Sequence, residues 1–163
     1  MTEAEALAET LDRARQYTLY YFNKLSSTDL HERIEVKGRR LNSAFWLLSH
    51  LTISENWLTL NGTGEEMERF SWAKLFSIGK EPPSADECPP VEEVMETASR
   101  VHEKAMERIR NLTAEELGAP HKVGFDVGGE GLVRDAIMHA IRHEAGHAGQ
   151  LGSLCAMQGI KTI

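Results

Sequence analysis

Apolar residues recur at intervals of three and four along four separate stretches of this chain. No stretch carries the strand-and-helix alternation from which a parallel sheet is built. The first predicted helix runs from Thr2, a favoured N-cap, to about Leu25, with Leu7, Leu11, Ala14, Tyr21 and Leu25 on one face. The second begins near Asn42 and stops at Asn61-Gly62, read as a left-handed end; its stripe is Trp46, His50, Ile53 and Trp57. The third follows Pro89-Pro90 and ends near Leu112. Glu92 and Glu93 in its first turn and Arg108 and Arg110 in its last match the helix dipole. The fourth runs from about Leu132 to Met157, with Val133, Ala136, Ala140, His143, His147, Leu151 and Leu154 on one seam. Four such faces predict an all-α fold, a four-helix bundle over residues 1–163 as a single domain.

The connections refine this picture. Residues 63–90 form a long crossover between the second and third helices, broken by Pro82-Pro83 and Pro89-Pro90. Phe70, Trp72 and Phe76 within it predict a short helix packed on the bundle. Thr113-Ala114-Glu115-Glu116 reads as a capping box for one brief turn, closed by Gly118. Val123, Phe125 and Val127 alternate in a Gly-rich stretch and predict a short extended excursion.

Composition excludes several classes of function. The net charge is −7, and Lys37, Arg39 and Arg40 form only a small cluster, read as a solvated loop, so no nucleic acid partner is expected. No apolar run approaches the roughly 20 residues that cross a bilayer, so no membrane span is expected. The acidic start, Met1-Thr2-Glu3-Ala4-Glu5, lacks the basic region of a secretory signal, and a cytoplasmic location is expected. Cys88 and Cys155 are outside any C-x-x-C pattern and read as reduced thiols.

The sharpest chemical signal is His143-Glu144-Ala145-Gly146-His147. Positions i and i+4 of a helix lie about 40° apart, so both imidazoles face one way and can share a divalent cation. His50 occupies the apolar face of the second helix. Leaving three imidazoles unpaired in one core would cost about 1–3 kcal/mol each, whereas one shared cation accounts for all three. His139 lies one turn before His143, and the drift of a straight helix keeps it from aiming at the same ion; it is read as a neighbour of the site. His31, His102 and His121 read as ordinary polar residues. The match to H-E-x-x-H invites a zinc peptidase with Glu144 as general base. Against this, the sixteen residues after His147 contain no Asp, Glu or His to supply a downstream ligand, and no strand-rich region precedes the motif. Orienting a ligand, pairing with Arg142 or Arg134, or simple solvation are the other roles open to Glu144.

Phe45-Trp46-Leu47-Leu48-Ser49-His50 and the run His143-Glu144-Ala145-Gly146-His147-Ala148-Gly149-Gln150 together resemble the two histidine motifs of the DinB/YfiT-like superfamily. Ala148 stands where members of that family usually carry arginine. The resemblance implies a four-helix bundle holding a divalent metal through His50, His143 and His147, often as a homodimer. It also implies metal-dependent hydrolysis, or thiol-dependent transfer or isomerisation with a low-molecular-weight thiol. Three protein ligands leave a coordination position open for water or a small-molecule substrate. A metal there would lower the pKa of water toward about 7 or turn a thiol into thiolate. Imidazole ligands suit Zn or Ni first, with Fe, Mn or Cu as further choices. The competing expectation is a non-catalytic bundle in which metal serves stability or dimerisation. Trp46 and Trp57 either wall a pocket beside His50 or belong to the core.

Overall fold

The computed structural model describes residues 1–162. Helix α1 (Glu3–Lys24) starts at Thr2 as the sequence requires. The Thr2 hydroxyl accepts from the Glu5 N–H, and the Glu5 carboxylate accepts from the Thr2 N–H. A two-residue hairpin follows, β1 (Glu35–Val36) paired antiparallel with β2 (Arg39–Arg40). Its turn is Lys37-Gly38, both at positive φ (50° and 76°), the geometry that matches strand twist. The segment read as a solvated loop is therefore a hairpin, though a solvent-exposed one.

Helix α2 (Ala44–Glu55) is capped by Ser43, not Asn42; the Ser43 hydroxyl accepts from the Trp46 N–H at 3.2 Å. It continues as a π-helical stretch, Asn56–Asn61. Two side chains disturb the regular ladder there. The Thr59 hydroxyl donates to the Glu55 carbonyl at 2.6 Å, and the Asn56 amide is bonded on both sides to the Glu68 backbone. Gly62 has ordinary helical φ (−56°), and the left-handed residue is Gly64 (φ 79°), so the helical path ends later than the sequence reading placed it.

The crossover carries the expected short helix as a 3₁₀ stretch, Ser71–Phe76, with Trp72 and Phe76 buried. Helix α3 (Val91–Arg110) buries Val94, Ala98, Val101, Ala105 and Ile109, the face set by its spacing. The capping box at Thr113 forms, and opens the single turn α4 (Ala114–Leu117). The alternation of Val123, Phe125 and Val127 predicts all three on one face of an extended segment, but only Val123 and Val127 are buried, Phe125 is exposed, and residues 121–131 form no strand. Gly124, Gly128, Gly129 and Gly131 all sit at positive φ and turn the chain where a strand would extend it.

Helix α5 (Val133–Met157) closes the bundle against α1 and α2. Its buried line passes through Ala140, Glu144, Ala148 and Leu151. His143 and His147 are only half-buried, on the flank of that line and not at its centre as the sequence seam implied. No helix among the described residues is long and apolar enough to cross a membrane.

Two apolar clusters fill the interior. One gathers Leu11, Leu58, Ile109 and Ile137; the other gathers Phe22, Leu48, Val94 and Leu151. Between them lies a polar layer. Arg15, 3% exposed, pairs with Glu55 at 2.6 Å and with Glu144 at 3.2 Å, and the Thr18 hydroxyl donates to Glu144 at 2.5 Å. His102, read from sequence as an ordinary polar residue, belongs to this layer. Its Nδ1 lies 2.7 Å from Glu55 Oε1 and its Nε2 lies 3.0 Å from Asp12 Oδ1.

A ring with carboxylate oxygens on both nitrogens donates from both only as imidazolium. Burial opposes the charge of His102, and Arg15 does too. The hydrogen bond and charge of Glu55, with the hydrogen bond of Asp12, outweigh them and raise its pKa above the ordinary value. A histidine raised in the folded state contributes stability that is complete below its unfolded pKa near 6.5. That stability disappears as pH rises through the folded value. Wild-type protein should therefore lose about 1.5–3 kcal/mol relative to His102→Gln as pH rises from 6 through the raised value, the range for hydrogen bonds to charged groups. Urea denaturation of both proteins across that range checks this, and parallel pH profiles would refute it.

Candidate metal centre

His50, His143 and His147 come together from α2 and α5, each offering a ring nitrogen, with all three of these atoms within 4.8 Å of one another. The i, i+4 spacing on α5 brings the second and third rings to 4.5 Å between centroids. The His50 ring stands 5.1 Å and 5.2 Å from them, and its Nε2 is 3.2 Å from His143 Nε2. Nitrogens bound at about 2.0–2.1 Å in a tetrahedral site lie roughly 3.3 Å apart, and the separation of His50 and His143 suits a shared cation.

The rings are also aimed. His50 Nδ1–H donates to the Phe76 carbonyl at 2.9 Å, which fixes the tautomer and turns the Nε2 lone pair toward the cluster. His147 Nδ1 is held in the same way by Gln150 Oε1 at 3.0 Å. Trp46 stacks on the His50 ring, centroids 4.5 Å apart and planes 14° from parallel. Burial lowers the pKa of His50, and the nearby His147 lowers it further. His143 is pushed down to about 3, first by burial and then by His147, His50 and His139. Both rings are thus neutral and hold free lone pairs at ordinary pH, the form in which imidazole binds metal.

His139 stacks on His143 with centroids 6.2 Å apart and does not join the three, as the helix geometry required. Glu144 is placed elsewhere. Its carboxylate is buried in the polar layer with Arg15 and Thr18, and is paired with neither Arg142 nor Arg134. Burial raises its pKa, with Glu55 adding to the effect against the pull of Arg15. Cys88 and Cys155 are free thiols, and burial raises the pKa of both, the opposite of an activated nucleophile.

A cavity of about 360 Å³ opens beside His50 and His143. Ile53, Ser54, Trp57 and Leu58 line it from α2 and its π-helical extension, following His50 at helical spacing. Trp57 is 42% exposed, so it walls this cavity, whereas Trp46 is core. Its indole N–H donates to the Val123 carbonyl at 2.9 Å and anchors the Gly-rich loop at the mouth. The Ser54 hydroxyl stands 3.4 Å from His50 Nε2, within reach of whatever the three nitrogens hold. Sequence reading passed over Ser54 and the Phe76 carbonyl, and included Gln150 in the histidine motif without giving it a role. Only Gln150 had a local signal, three residues after His147.

The sequence profile of the DinB superfamily matches residues 10–151, a span that includes all three histidines and runs from α1 through most of α5. The chain belongs to the DinB superfamily. No curated protein matches it in sequence. In this DinB-superfamily chain Ala148 is 3% exposed and lies one turn beyond Glu144 on the same face of α5. The cation beside Glu144 is Arg15 on α1.

Proposed function

We propose that this protein is a divalent-metal enzyme, a hydrolase or thiol-dependent transferase that acts on a small molecule. The supporting observation is the convergence of three imidazoles on one point at the wall of an open cavity. A structural zinc site is closed by four protein ligands, whereas three ligands beside a cavity leave room for a reactant. A divalent cation at that point supplies Lewis-acid chemistry, polarising a carbonyl or acidifying water or a thiol. The chain's own part is to hold His50 through the Phe76 carbonyl and His147 through Gln150, and to place the Ser54 hydroxyl where it can hydrogen-bond the reacting group. Glu144, tied to Arg15 and Thr18, takes no part in proton transfer in this reading. Zn or Ni is the proposed ion, and family membership supports a homodimer.

The test uses protein without an affinity tag. It should take up one divalent ion per chain and turn over at least one substrate in a panel of esters, amides and thiol conjugates, with activity lost on chelation. Uptake of metal with a raised melting temperature, and no turnover across the panel, would favour the purely stabilising role. No uptake of any divalent ion would refute both.

A further inference from the structure

Ten residues line the cavity beside His50 and His143, and none of them is Asp, Glu, Lys or Arg. Apart from the three histidines His50, His139 and His143, its polar groups are the hydroxyls of Ser54 and Ser77. The remaining wall is Ile53, Trp57, Leu58, Ile78 and Phe125. Three of these carry apolar surface that stays open to solvent: Trp57 at 42%, Phe125 at 49% and Ile78 at 80% exposure. Apolar surface gathered at the mouth of a pocket is surface that a ligand covers.

The charged groups nearby stand outside the lining. Arg142 bonds the Val127 carbonyl at 3.0 Å and approaches His139 Nδ1 at 3.5 Å from outside the cavity wall. Glu55 and Glu144 are consumed by Arg15, His102 and Thr18. A charged tail lying on the apolar wall would lose its water there and meet no lining side chain of opposite sign.

Resting on the metal-centre reading above, we infer that the substrate is an uncharged small molecule with an apolar body. One polar head reaches the histidines and Ser54, and the body lies on Ile53, Trp57, Leu58 and Phe125. A charged or heavily hydroxylated thiol, if one takes part, keeps its polar end outside this cavity.

Hydroxamates sharing one metal-binding head provide the probe. Zinc-loaded protein is titrated with acetohydroxamate, hexanohydroxamate and the monohydroxamate of succinate, followed by tryptophan fluorescence. Hexanohydroxamate should bind at least about tenfold tighter than acetohydroxamate, since each buried methylene is worth about fourfold at most. The succinate derivative should bind no tighter than acetohydroxamate. Trp57→Ala should remove most of the tail's gain, and Phe125→Ala, on an exposed loop, should reduce it, with zinc uptake unchanged in both. Equal binding of all three probes, or a preference for the succinate derivative, in protein that holds zinc overturns the inference and leaves the metal reading standing. If the chain takes up no zinc, that reading fails by itself. The metal-free protein is then titrated with butanol and hexanol. Stronger binding of hexanol that is lost in Trp57→Ala keeps the inference, and its absence overturns it.

Discussion

Replacing Arg15 by methionine should lower the unfolding free energy by about 3–5 kcal/mol, the cost of leaving buried charge without its partner. Arg15 is 3% exposed, and Glu55 and Glu144, which it bridges, are 2% exposed on α2 and α5. Without the guanidinium two carboxylates face each other in a dry layer, with Thr18 and His102 left to answer them. A loss of that size is a large share of the roughly 5–15 kcal/mol that holds a domain folded. The pair itself is not optimal, because Nε and Nη1 of Arg15 are buried with no hydrogen-bond partner. Its desolvation is therefore incompletely offset. Adding Glu55→Gln and Glu144→Gln to Arg15→Met should recover most of the loss, since neutral amides tolerate the layer. Arg13, paired with Glu9 on the open face of the same helix, serves as the control, and Arg13→Met should leave stability unchanged. Urea denaturation at pH 7 reads all three variants. An Arg15→Met protein as stable as wild type would mean that the layer holds nothing together.

How much of this was legible in the sequence follows from the range of each interaction. Helix faces and caps are local, and Thr2, Thr113 and the face of α3 were read correctly from residues three or four apart. On α1, by contrast, Leu11, Ala14 and Leu25 are buried but Leu7 and Tyr21 stand half-buried beside the line through Ala8, Arg15 and Phe22. The histidine cluster was readable because two members repeat at i, i+4 and the third interrupts an apolar face at His50. The polar layer was not. Arg15 meets Glu55 across 40 residues of chain, His102 meets Glu55 across 47 and Asp12 across 90, and Thr18 meets Glu144 across 126. No spacing rule links such positions, and each of these residues taken alone looks like a solvated polar side chain. The loop at 121–131 failed for another reason. Its alternation of apolar residues does not carry into burial, since Val123 and Val127 are inside and Phe125 is outside, and four glycines at positive φ turn the chain where a strand would extend it. On α5 the polar Glu144 was read off the core, and His143 and His147 onto it, because hydropathy alone cannot foresee that Arg15 makes a buried glutamate tolerable.

Loss of the His50 imidazole should remove nearly all the stabilisation that metal gives this protein. An ion that binds only the folded chain adds about 4 kcal/mol at a free concentration a thousand times its dissociation constant. In His50→Ala the α5 pair alone remains, with the bond that ties the ring to the crossover at Phe76 gone as well. The zinc-induced rise in melting temperature should then vanish at the concentration that saturates wild type. His143→Ala should behave alike, because its Nε2 is the atom 3.2 Å from that of His50. Gln150→Leu should be milder, weakening zinc by about 10–100-fold, since it only frees the ring that Gln150 orients. His139→Ala is the discriminating control. It lies on the same helix, one turn before His143, but outside the set of converging nitrogens, so its zinc response should match wild type. Non-specific binding to surface histidine would instead weaken in proportion to the number of imidazoles on α5, making His139→Ala equivalent to His143→Ala and leaving His50→Ala unaffected. Chelator competition and thermal melts of the four variants separate these patterns. Only a shared site spanning α2 and α5 makes His50, 93 residues distant from His143, matter more than its neighbour His139.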